Sequence, residues 1–106
     1  GLDYYLSDLD RAHQMALFEA QLALAKQFQL PLILHARKAV DAVIKCLKQS
    51  ALSCGIVHSF NGSYVQASRL IDMGFKLGFG GALTYPRATR LRALVKQLPL
   101  DALCIE

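Results

Sequence analysis

Cysteine is too scarce and too scattered in this sequence to hold a fold together. Cys46, Cys54 and Cys104 are three in number, no two form a C-x-x-C pair, and each sits among aliphatic residues. That pattern excludes a disulfide framework and a cysteine-built zinc site, and it predicts three small buried hydrophobes with free thiols. No apolar run reaches the roughly 20 residues that a membrane-spanning helix requires. The opening GLDYYLSD has neither the basic head nor the apolar segment of a signal peptide. The expectation is a soluble, cytoplasmic protein with no membrane partner. Acidic residues are also few, eight against twelve lysines and arginines, for a formal net charge of +4. A basic balance suits a polyanionic partner, although the cations are spread along helices and form no tract. GFGGAL lacks the spacing of a dinucleotide or nucleoside triphosphate loop. Gly78, Gly80 and Gly81 are therefore read as easing close packing or a bend at a strand end.

What the chain does have is apolar residues, 54% of its 106 positions, enough to bury a core in a single domain. Apolar runs recur at LPLIL (30–34), GIV (55–57), FKLGFGGAL (75–83) and LPLDALCI (98–105). Between them lie segments with helical spacing, so each cycle has the length of a strand, a turn, a helix and a return. Val40, Val43, Ile44 and Leu47 fall at i, i+3, i+4 and i+7, and Leu91, Leu94, Val95 and Leu98 repeat that spacing. Phe18, Leu22 and Ala25 share a face upstream, with Ser7, Asp8 or Asp10 as the cap. Tyr64, Ala67, Leu70 and Ile71 form a further stripe, capped by Asn61 or Ser63 and ended by a left-handed Gly74.

Four helices thus alternate with runs that show no clean polar alternation, as expected of strands covered on both faces. The runs are too far apart for hairpins, so the sheet is read as parallel, with Pro31 and Pro99 at the entrances to two strands. The fold class is α/β, built of parallel-sheet βα units. Periodicity alone leaves open whether the helices lie on one side of a curving sheet or on both sides of an open one.

Two of the runs end in an imidazole: LPLILHAR in His35, and GIVHSF in His58. Parallel strands end on one edge and neighbours are about 4.8 Å apart, so the two histidines are expected to face one point and to be able to hold a metal ion. Two ligands do not complete a site, and a lone histidine hydrogen-bonded to backbone is the bland alternative for each. His13 lies on a polar stretch and is read as a solvated surface residue, and Asp41 with Lys45 as a weak helix pair at most.

These residues also carry a resemblance. GLDYY, QMALFEAQLALAKQFQLPLILHAR, IVHSFNGSYVQASRLIDMGFKLGFGGALTYP and LPLDALCIE occur in the order and spacing of the central part of the TatD-type metal-dependent deoxyribonucleases, within the amidohydrolase-like superfamily. The resemblance implies an interior part of a TIM-like (β/α)8 barrel, forming one partial barrel segment over residues 1–106. It also implies divalent metal ions (zinc, magnesium or manganese) and hydrolysis of phosphodiester bonds in DNA. On it, His35 and His58 are metal ligands and Arg37 contacts a substrate phosphate. Asp3 is either a partner that orients a ligand or ordinary turn chemistry. The family's first-strand H-x-H pair, its Glu just before G-L-D-Y and its Asp just beyond the residue matching Glu106 have no counterpart here, so no catalytic residue is assigned. A complete barrel takes about 250 residues. The expectation is a fragment with little activity alone, which forms homo-oligomers through open strand edges and the inner ends of Ile33, Val57 and Leu77. The alternatives are a purely self-associating segment and a hydrolase of aminoacyl-tRNA esters.

Overall fold

The computed structural model describes all 106 residues. The chain runs β1 (Leu2–Asp3), α1 (Arg11–Phe28), β2 (Leu32–Arg37), α2 (Val40–Ser50), β3 (Gly55–His58), α3 (Tyr64–Asp72), β4 (Phe75–Phe79), α4 (Thr89–Gln97) and β5 (Leu103–Ile105). All neighbouring strands pair in parallel, in the order β1-β2-β3-β4-β5. An unreversed order with right-handed crossovers brings every helix to the same face. The core agrees: Leu34, Val57 and Leu77 of the strands share one cluster with Phe18, Val43, Leu47, Leu70 and Leu94 of the helices. This is the winding of a barrel; a doubly wound sheet reverses its order at a switch point.

In this 106-residue chain the strands are covered on one face, where cover on both was expected. Along β2, Leu34 and Ala36 are buried while Ile33, His35 and Arg37 are exposed. Runs of aliphatic residues hid this alternation because Ile33 and Leu34 are equally apolar. The same period of two separates residues that were expected to share the open face. Ile33 is 82% exposed, whereas Val57 and Leu77 are fully buried under the helices.

Local chemistry explains where the helices begin and end. Asp10 Oδ1 accepts from the His13 backbone N–H at 2.9 Å to cap α1. Ser63 and Gln66 form a reciprocal capping box on α3, each side chain accepting from the other's backbone N–H. Beyond α3, Gly74 takes φ +95°, where a Cβ would run into the Ser53 carbonyl oxygen. Tyr64 opens α3 but is 50% exposed, so the buried stripe reduces to Ala67 and Leu70, with Ile71 at its margin.

Two apolar runs are only partly strand. FKLGFGGAL leaves the sheet after Phe79 and makes a 3₁₀ turn over Gly81–Thr84. LPLDALCI begins with another 3₁₀ turn, Leu100–Ala102, so Pro99 opens a turn and not a strand. The cysteines divide as well: Cys46 is buried, Cys54 is exposed and Cys104 is half-buried. Cys54 lies in the loop before β3.

Candidate functional site

The carboxyl ends of the strands gather the polar residues of the open face. His35 on β2 and His58 on β3 are register partners, and their ring centroids lie 6.2 Å apart with planes tilted by 32°. Each strand turns sharply after its histidine-bearing end: Lys38 and Ser59 have left-handed backbone, at φ 55° and 46°.

A carboxylate grips each imidazole. Asp3, at the end of β1, meets His35 Nε2 through Oδ2 at 2.9 Å and accepts the Tyr5 backbone N–H on Oδ1 at 3.0 Å. It is thus both turn former and histidine partner, the two roles the sequence left open. Gln14 holds Asp3 from α1, its Oε1 accepting from the Asp3 N–H and its Nε2 donating to the Asp3 carbonyl. The Tyr5 N–H first and the bond to His35 second hold the Asp3 carboxyl below its ordinary range against desolvation, with lesser lowering by the charges of His35 and Arg37.

Glu106 serves His58 in the same way. Its Oε1 lies 3.2 Å from His58 Nδ1, while Oε2 accepts from the Ser59 N–H at 3.0 Å and the Ser59 hydroxyl at 3.3 Å. Gly78 on β4 makes room for it, since a Cβ there would overlap Glu106 Oε1. The close packing expected of this glycine is therefore specific: it seats a carboxylate.

With Nε2 of His35 and Nδ1 of His58 engaged, His35 Nδ1 and His58 Nε2 remain without protein partners. A proton on the engaged nitrogen leaves the opposite one with a lone pair, the arrangement in which a carboxylate orients an imidazole toward a metal. The donor set therefore fits part of a divalent ion's shell. No third His, Cys, Asp or Glu converges on the pair.

A cleft of about 830 Å³ opens beside the two rings. Its lining includes Tyr4, Tyr5, Arg37, Lys38, Asn61 and Arg90 as well as both histidines. The Arg37 guanidinium stacks on Tyr5, 3.7 Å from the ring centroid, and Arg11 stacks on Tyr4 at 4.3 Å. His13 is exposed and outside this lining. Sequence reasoning missed Glu106 as a histidine partner, and Lys38, Asn61 and Arg90 as cleft residues. Glu106 carries the same signal as His35 and His58, a polar residue ending an apolar run. Arg90 gives none, because helix–strand packing brings it in from α4.

Over residues 1–106 the chain matches the family described as TatD related DNase. The chain belongs to that family. A relative from Haemophilus influenzae, an uncharacterised metal-dependent hydrolase, is 50% identical over 102 residues, covering 95% of this chain and 39% of its own length. YjjV of Escherichia coli, also an uncharacterised metal-dependent hydrolase, is 43% identical over 107 residues, 100% of this chain and 41% of YjjV. The crystal structure of YjjV superposes with a TM-score of 0.94, covering 100% of this chain and 41% of that one. A TatD family hydrolase from Entamoeba histolytica gives 0.85 at 27% identity, over 100% of this chain and 36% of its own. The chain spans about two fifths of the length of these TatD proteins. No helix of the chain is long and apolar enough to cross a membrane.

Proposed function

We propose that the protein is a metal-dependent hydrolase of the TatD type that cleaves phosphodiester bonds in DNA. The observation that carries this reading is the histidine pair. Two imidazoles from adjacent strands each turn one nitrogen to a carboxylate and leave the other free beside a cleft that also holds Arg37. His35 and His58 hold a divalent ion, zinc, magnesium or manganese, with Asp3 and Glu106 fixing their tautomers. Such an ion supplies charge to polarise a phosphoryl oxygen and lowers the pKa of water.

Arg37 binds a substrate phosphate through its forked donors, and stacking on Tyr5 holds the guanidinium in plane for that contact. DNA as substrate is supported by the family's description and by the surplus of cations. The test is a nuclease assay on the intact protein with each metal in turn, alongside His35→Ala and His58→Ala. Metal-dependent cleavage lost in both variants supports the reading; cleavage that survives both, or no cleavage with any metal, overturns it.

For the 106-residue chain by itself we propose self-association into a homo-oligomer. It is favoured by apolar side chains left bare on the sheet, with Ile33 82% and Ile105 99% exposed.

A further inference from the structure

The cleft holds three cations that the histidine pair does not require. Arg37 stands at the end of β2, Lys38 follows it, and Arg90 comes from the first turn of α4. None is within ion-pair distance of a carboxylate, because the chain's ion pairs are His35–Asp3 and His58–Glu106. Asp41 is the one carboxylate in the cleft lining. Arg90 differs from its two companions in how it is held: Nη2 donates to Asn61 Oδ1 at 3.3 Å, tying α4 to the loop after β3. A guanidinium has five N–H donors, so this bond leaves most of them for an anion. Positive charge therefore enters the cleft from two separate parts of the fold.

We infer that Arg90 is a second substrate-binding arginine, holding a phosphate of the nucleic-acid strand other than the one at the histidine pair. Asn61 sets its position. The inference rests on the nuclease reading and adds to it that the substrate extends beyond a single nucleotide along the cleft.

The test uses the intact protein in EDTA, where binding is read without cleavage, with a labelled single-stranded decanucleotide titrated at several salt concentrations. Arg90→Gln and Arg90→Ala are expected to weaken binding and to lower the slope of log affinity against log salt by roughly 0.7, the share of one phosphate contact on a single strand. Arg90→Lys recovers most of that slope. Lys96→Ala, the same charge change on the exposed last turn of α4, leaves it unaltered. A mononucleotide binds the Arg90 variants as it binds the wild type. If Arg90→Gln matches Lys96→Ala while Arg37→Ala weakens binding, the inference about Arg90 fails and the nuclease reading stands. If the wild-type protein binds no decanucleotide, both fail.

Discussion

His35 and His58 are paired residues of adjacent parallel strands, 6.2 Å apart between ring centroids, and each offers its carboxylate-free nitrogen at the same edge of the sheet. A one-residue shift in the pairing of β2 with β3 would put them on opposite faces, so their convergence is a property of register.

On the proposed reading, removing either imidazole removes a ligand. In the intact protein His35→Ala and His58→Ala are each expected to lower metal affinity by at least about tenfold, with loss of hydrolysis. Competition against a chromophoric chelator measures this. Unchanged affinity and stoichiometry in both variants would strike the pair from the ligand set.

On the same reading, the carboxylates behind the rings act by orientation. Asp3→Asn and Glu106→Gln are expected to cost about 10- to 100-fold in metal affinity while leaving a folded protein. Circular dichroism with metal titration separates this outcome from unfolding, and wild-type affinity in both variants would show that the imidazoles need no such support.

Two glycines should behave in opposite ways. Gly78→Ala pushes against the flexible Glu106 side chain, so its expected effect is weakened metal binding with little change in Tm. Gly74→Ala forces a Cβ at φ +95° against the rigid Ser53 carbonyl, and is expected to destabilise by about 1–3 kcal/mol with metal affinity intact. The reverse pattern would contradict the role given to Gly78.

Burial first, and Glu19 second, raise the Cys46 thiol above its ordinary value, against a smaller lowering by Lys45. A raised folded pKa contributes stability that is complete below the unfolded thiol pKa and lost as pH climbs through the folded value. Stability is therefore expected to decline on the alkaline side, and Cys46→Ala should flatten that decline. At neutral pH an alkylating reagent should modify exposed Cys54 well before Cys46. Equal rates at the two thiols would refute the assignment.

The 106-residue chain studied alone is expected to sediment as an oligomer whose unfolding depends on concentration. Burying a few hundred Å² around Ile33 and Ile105 at about 25 cal/mol per Å² favours association by several kcal/mol. A compact monomer at high micromolar concentration would overturn this.

Much of the fold was legible because helix signals are local. The stripes at Val40–Leu47 and Leu91–Leu98 and the caps at Asp10 and Ser63 need only nearby residues. Which face of a strand is covered depends on distant packing, so the exposure of Ile33 and the full burial of Val57 could not be read from their equal hydrophobicity. The histidines announced themselves by ending apolar runs. Glu106 ends an apolar run in the same way, but which imidazole each carboxylate meets was hidden, since Asp3 lies 32 residues from His35 and Glu106 lies 48 from His58. Arg90 and Asn61, joined across 29 residues by a hydrogen bond between a helix and a loop, gave no signal of a place in the cleft.

The open face of β2 also works as a ruler. Ile33, His35 and Arg37 follow one another at every second residue, so the pleat spaces them by about 6.6 Å along one line. An apolar side chain, the proposed metal ligand and the proposed phosphate fork are graduations on that line. Substituting one graduation changes its chemistry and leaves the others in position. Deleting a single residue within the strand would instead turn the graduations into the hydrophobic core and expose Leu34 and Ala36 in their stead, so the spacing admits no partial adjustment.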